Sequence, residues 1–158
     1  MQVSEVFAMT SGLLKLSQML PEVISSFNRN NASSMGIITH DPSYGLSPNE
    51  DRLEYWDDSG RYIAFGRYLL FKKNKMEEIK FWIGFCLEST KRNYGIWFDK
   101  KYLSTYYVKK LKKKFHSEKF DTEVWIKNMD FNDFSDDSIC SMSQTIGKLL
   151  HSVLRELK

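Results

Sequence analysis

The chain has 158 residues, 42% hydrophobic, 27% charged and 15% aromatic, with a formal net charge of +3. That length suits one domain with one substantial core and leaves little room for two catalytic domains; no apolar run approaches the ~20 residues needed to cross a bilayer, and the first residues lack the basic, apolar, small-residue order of a secretory signal. The charge is too small to imply nucleic acid by itself, but it is uneven: lysines concentrate between Lys100 and Lys119, acids between Glu50 and Asp58 and between Asp121 and Asp137, so separate basic and acidic surface regions are expected.

In chain order, Val6, Met9, Leu13, Leu16, Leu20, Ile24 and Phe27 recur every three or four residues, which predicts an amphipathic helix from Ser4 to about Phe27. Pro21 either kinks that helix or opens a second one at its first turn. Asn28 to Asn49 is rich in Asn, Ser, Gly and Pro and reads as a long connection, with room for a short strand around Met35 to Thr39. Residues Arg61 to Phe98 predict a three-stranded antiparallel meander, with strands near Tyr62 to Lys72, Glu78 to Leu87 and Tyr94 to Phe98. In the second strand Ile79, Phe81, Ile83, Phe85 and Leu87 alternate with Lys80, Trp82, Gly84, Cys86 and Glu88, placing one apolar stripe that helices must cover.

Leu103, Tyr107, Leu111 and Phe115 then mark a helix whose remaining faces carry Lys109, Lys110, Lys112, Lys113 and Lys114. Val124 to Ile126 fits a short strand, and Ile139, Met142, Ile146, Leu149, Leu150, Val153 and Leu157 define a last helix capped near Ser135, with Asp136 and Asp137 at its positive end. The expected architecture is a single α+β domain spanning residues 1–158. Its three-stranded antiparallel meander has one added short strand and is flanked by N-terminal, basic middle and C-terminal helices, in the order αβββαβα.

Candidate chemistry is sparse. Cys86 and Cys140 lack zinc or disulfide spacing and read as reduced thiols, which with the absence of a membrane segment makes a cytoplasmic protein the expectation. His40, His116 and His151 lie on different elements and share no metal-ligand spacing. There is no nucleophile elbow, no phosphate-binding glycine loop followed by Lys-Ser or Lys-Thr, and no dinucleotide fingerprint.

After the apolar Ile96-Trp97-Phe98 comes Asp99-Lys100-Lys101. This acid-x-lysine element, set in the order αβββαβ, resembles the PD-(D/E)XK nuclease superfamily over roughly residues 1–127. The resemblance implies Asp99 and Lys101 as catalytic candidates with Glu78 on the preceding strand, and a magnesium ion held by Asp99 and Glu78 if the chain cuts. Carboxylates hold such a hard ion, which activates water and neutralises phosphate charge. Pairing the meander through a turn at Ser89 to Asn93 sets Asp99 opposite about Trp82 and leaves Glu78 about four residues away, ~13 Å at strand rise. Asp99 also suits the start of the following helix, where an acid meets the helix dipole, and Lys101 there reads as a solvated side chain.

The lysine helix, Lys109 to Lys114, offers phosphate contact to DNA or RNA, or simply a solvated face. Tyr62, Tyr68, Trp82, Tyr94 and Trp97 would make a base-stacking platform if they shared an exposed sheet face, and core otherwise. These residues together predict a nuclease-like, nucleic-acid-associated protein without robust catalysis. The alternative is a protein-interaction or inhibitor module of a regulatory or defence system, acting through the acidic-aromatic stretches Glu50 to Asp58 and Asp130 to Phe134 on a protein partner.

Overall fold

The computed structural model describes residues 3–40, 52–56, 62–73, 77–88, 92–99, 103–115, 117–119, 123–129 and 135–158. Helix α1 (Val3–Asn31) leads into strands β1 (Ile37–His40), β2 (Arg52–Trp56), β3 (Tyr62–Lys72), β4 (Glu78–Glu88) and β5 (Arg92–Asp99). Helix α2 (Thr105–Lys114), strands β6 (Ser117–Lys119) and β7 (Glu123–Met129) and helix α3 (Asp136–Glu156) complete the chain. The α+β class and the central meander are as the sequence predicts. The strands form one seven-stranded antiparallel sheet in the order β1-β3-β4-β5-β7-β6, with β2 also on β3. Among the described residues no helix is long and apolar enough to cross a membrane.

Strand alternation gives the sheet two unlike faces. Leu69, Phe71, Ile79, Phe81, Ile83, Phe85, Tyr94, Ile96, Phe98 and Ile126 point to one side, where they meet Leu16, Leu20, Val23 and Phe27 of α1, Leu111 of α2 and Met142, Ile146, Leu150 and Val153 of α3 in one buried core. Phe27 meets Phe71 edge-on with centroids 6.2 Å apart. Of the buried side chains on the opposite face, Leu70 and Trp82 stand outside that core.

Two strands escape the sequence pattern. Residues 52–56, read above as part of an acidic-aromatic loop, form β2 and pair with Tyr62 to Gly66 of β3, because that stretch of β3 has an open edge to fill. Strand β6 is three residues long and has no apolar alternation, so only its pairing with β7 defines it. The rest of the acidic stretch, Glu50, Asp51, Asp57 and Asp58, and all of Asp130 to Phe134 lie outside the described residues.

Helix α1 also runs further than its apolar stripe predicts. Pro21 sits inside one continuous helix that reaches Asn31 and so takes in Asn28, which the sequence assigns to the following connection. The side chain of Asn28 then acts as a substitute strand: its Nδ2 donates to the Ile38 carbonyl at 2.9 Å and its Oδ1 accepts from the Ile38 N–H at 2.8 Å. Both backbone groups of Ile38 are thereby satisfied at the sheet edge, and β1 is tied to the helix above it. Gly36 makes the connection, at φ +144° and so close to β3 that a Cβ would lie 2.3 Å from the Lys72 carbonyl oxygen.

Replacing Asn28 with Ala leaves the Ile38 donor and acceptor unmet. Urea denaturation of Asn28→Ala should show a loss of about 1–3 kcal/mol, with faster amide exchange in β1 than in β4; unchanged exchange in β1 would mean that Asn28 does not hold this edge.

Candidate nucleic-acid interface

Helix α2 begins at Ser104, whose Oγ accepts from the Tyr107 N–H at 3.3 Å, and ends with Lys112, Lys113 and Lys114 beside the negative end of the helix dipole. Leu111 is fully buried, and Tyr107, Val108 and Phe115 pack beside it against the core. This apolar side fixes the rotation of the helix, so the lysines at the other positions point away from the core.

The hairpin between β3 and β4 fastens one end of α2. Lys73 donates to the Tyr107 hydroxyl at 2.7 Å, lies 3.2 Å from a Glu77 carboxylate oxygen and sits 5.0 Å from the Tyr107 ring centroid. Burial works against the Lys73 charge, but the hydrogen bonds to Tyr107 and Glu77 outweigh it and hold the ammonium above its ordinary pKa. Lys73 therefore stays charged as part of the scaffold.

The five lysines of α2 divide into two groups. Lys114 forms an ion pair with Glu156 near the end of α3, and Lys110 lies 3.7 Å from the other oxygen of the same carboxylate, whose side chain is 14% exposed. Lys109, Lys112 and Lys113 are exposed, and among the described residues none of them has an ion pair. Two lysines thus pin α2 to α3, and three present their charge on its outer side with no ion partner among the described residues. Tyr106, 67% exposed, joins that outer side.

The residues of the acid-x-lysine element are placed differently. Strand β5 starts at Arg92, earlier than the sequence suggests, and pairs Trp97 with Trp82, so the expected pairing of Asp99 with Trp82 is displaced. The β4–β5 pairing runs from Leu87↔Arg92 to Trp82↔Trp97, and both Asp99 and Glu78 lie beyond its last pair. Asp99 is paired across the sheet with Glu123 of β7. Glu78 itself is exposed and lies 3.4 Å from Lys72 Nζ. Lys100 and Lys101 lie outside the described residues. No group of three His, Cys, Asp or Glu among the described residues could hold a metal ion. Asp99 and Glu78 therefore come without a described ligand set that fits magnesium.

The five candidate stacking aromatics do not form a single platform. Register puts Tyr68, Trp82 and Trp97 on the face away from the helices in one cross-strand row, but Tyr94 is on the core side against Phe85; the Tyr62 side chain lies outside the described ones. Within the row Trp82 is only 6% exposed, and Tyr68 and Trp97 are half-buried. The Trp82 ring lies over Gly66, where an added Cβ would fall 2.6 Å from it. Of the histidines, His40 is in β1, His151 in α3 has its ring centroid 6.5 Å from that of Phe27, and His116 lies outside the described residues. Cys140 is a free, exposed thiol.

Sequence reasoning did not separate the structural from the available lysines, because that division depends on Glu156, which is 42 residues from Lys114 in the chain. Nor did it single out Tyr106. The helical period did carry a signal there: Tyr106 falls off the apolar stripe of Leu103, Tyr107, Leu111 and Phe115. The chain matches no protein-family model, no curated protein and no solved structure.

The paired Glu156 has a measurable pH signature. Its hydrogen bond to Lys114, opposed by desolvation and aided by the nearby charges of Lys114, Lys110 and Arg155, holds its carboxyl below the usual range. A depressed folded pKa contributes stability above the unfolded value of about 4.3, and that stability is lost as pH falls through the folded value. Wild type should accordingly be more stable than Glu156→Gln at neutral pH and converge with it in acid, below about pH 4; a stability difference that persists unchanged into acid would show that ion pairing is not its source.

Proposed function

We propose that this protein is a nuclease-like, nucleic-acid-associated protein that binds its ligand through phosphate contacts rather than cutting it. The observation that carries the reading is the division of the α2 lysines: Lys109, Lys112 and Lys113 project from a helix whose rotation is fixed from below by Leu111 and from the side by Glu156. Ammonium groups on a rigid element, without a carboxylate partner among the described residues, suit a polyanion, because each phosphate contact releases condensed counterions from the nucleic-acid backbone. Lys110 and Lys114 serve that surface indirectly by holding the helix in place.

The nuclease-like part of the reading rests on Asp99 at the end of β5 and on Glu78 at the start of β4. Glu78 has Lys72 as its neighbour, and no hydrolytic step is assigned to it.

The test is binding of labelled DNA and RNA oligonucleotides by fluorescence anisotropy, with magnesium or manganese present and absent. Lys109→Glu/Lys112→Glu/Lys113→Glu should weaken binding by more than about tenfold, whereas Lys110→Gln/Lys114→Gln should chiefly lower thermal stability. No cleavage is expected with either metal. Equal binding by wild type and the outer triple variant would remove α2 as the interface, and metal-dependent cleavage lost in Asp99→Ala would replace the binding role with a catalytic one.

A further inference from the structure

We propose that the ligand of α2 is single-stranded rather than duplex nucleic acid and that Tyr106 stacks on one of its bases, an inference that rests on the phosphate-binding reading above. Tyr106 is 67% exposed, on a helix whose other apolar side chains turn towards the core. Leaving a large ring in water forgoes the stabilisation of burying it. Its position relative to the available lysines gives it a use.

Tyr106, Lys109 and Lys113 are spaced i, i+3 and i+7, so the ring and two ammonium groups form one outward crest on the side of α2 opposite the buried Leu111. The crest is steadied from within. Tyr107 meets the Tyr106 ring with centroids 5.4 Å apart and planes at 62°, and Lys110 Nζ lies 5.8 Å from its centroid. Lys110 is itself placed by Glu156. The aromatic ring is therefore supported on its flank while most of its surface remains open, beside charges that attract phosphate.

Charge complementarity selects a polyanion, and the exposed ring selects among polyanions. A duplex stacks its bases against one another and presents mainly phosphate and sugar, which lysines alone can satisfy; a single strand offers base faces that an aromatic side chain can cover. Helix α2, with the sequence TYYVKKLKKK, also carries no Asn or Gln to read adenine in a major groove, so of the bidentate base-edge readers it has only lysine. An acidic protein surface would be drawn to the same lysines but has no unpaired base for Tyr106.

Three probes separate these ligands: a dye-labelled single strand, the matching duplex, and an abasic strand of the same length. Wild type should prefer the single strand. Tyr106→Ala should lose roughly tenfold in affinity for it, keep its affinity for duplex and abasic strand, and keep the wild-type salt dependence because no charge has changed. Tyr106→Trp should restore binding, and thermal unfolding should confirm that both variants fold. The proposal falls if Tyr106→Ala binds the single strand like wild type, or if it weakens all three probes equally. If that happens while the outer lysine variant still loses binding, the phosphate-binding reading stands without it; if wild type binds none of the probes, both are overturned.

Discussion

Burial of one face of the β3-β4-β5 ladder is the constraint from which the rest of the molecule follows. Its central side chains, Leu69, Phe71, Phe81, Ile83, Phe85, Ile96 and Phe98, are almost completely removed from water. An antiparallel sheet with such a face must be covered, and here α1, α2 and α3 cover it together. Each helix is rotated by the same requirement. In α2 the apolar side is narrow, with Leu111 buried and Tyr107 and Phe115 half-buried, so a helix containing five lysines is held with its charge directed outward.

Electrostatics then divides what hydrophobic packing has oriented. Glu156 lies on the last turn of α3, near enough to take Lys114 and Lys110 but not the lysines beyond them. Lys15 makes a comparable tie at the other end of α3, 2.8 Å from Asp136, which joins α1 to the start of that helix. The Lys15–Asp136 pair is exposed and contributes little to stability by itself. The consequence of these pairs is positional, since they fix which cations remain available. Lys73 does the same for the far end of α2 through Tyr107.

Much of this fold was legible in the sequence because its central elements obey a single period over a long run. Strict alternation from Ile79 to Leu87 identified β4 and its core-facing side, and the three-and-four spacing from Ile139 to Leu157 identified α3, including its cap at Ser135. Of the elements that were missed, β6 has no local signal and β2 only a five-residue one, Arg52 to Trp56. Strands β2 and β6 exist because neighbouring strands offer open edges, and the last turn of α1 is polar because Asn28 faces the backbone of Ile38 rather than apolar side chains. The site was legible by composition and not by partner. The lysine run marked α2 as basic, but nothing local distinguishes Lys112 or Lys113 from Lys114; the distinction is made across space by one carboxylate. The aromatic residues divided in a similar way: alternation could place Tyr94 and Trp97 on opposite faces, but burial of Trp82 depends on its packing over Gly66 of the next strand.

A phosphate-binding role for the outer side of α2 makes a quantitative demand that an aromatic protein interface does not. The most direct measurement is the dependence of the wild-type oligonucleotide association constant on salt concentration. Three lysine-phosphate contacts should give a slope of log K against log salt of about −2 on a single strand and about −3 on a duplex. A slope near zero, or no binding even at low salt, would contradict a nucleic-acid role for this helix.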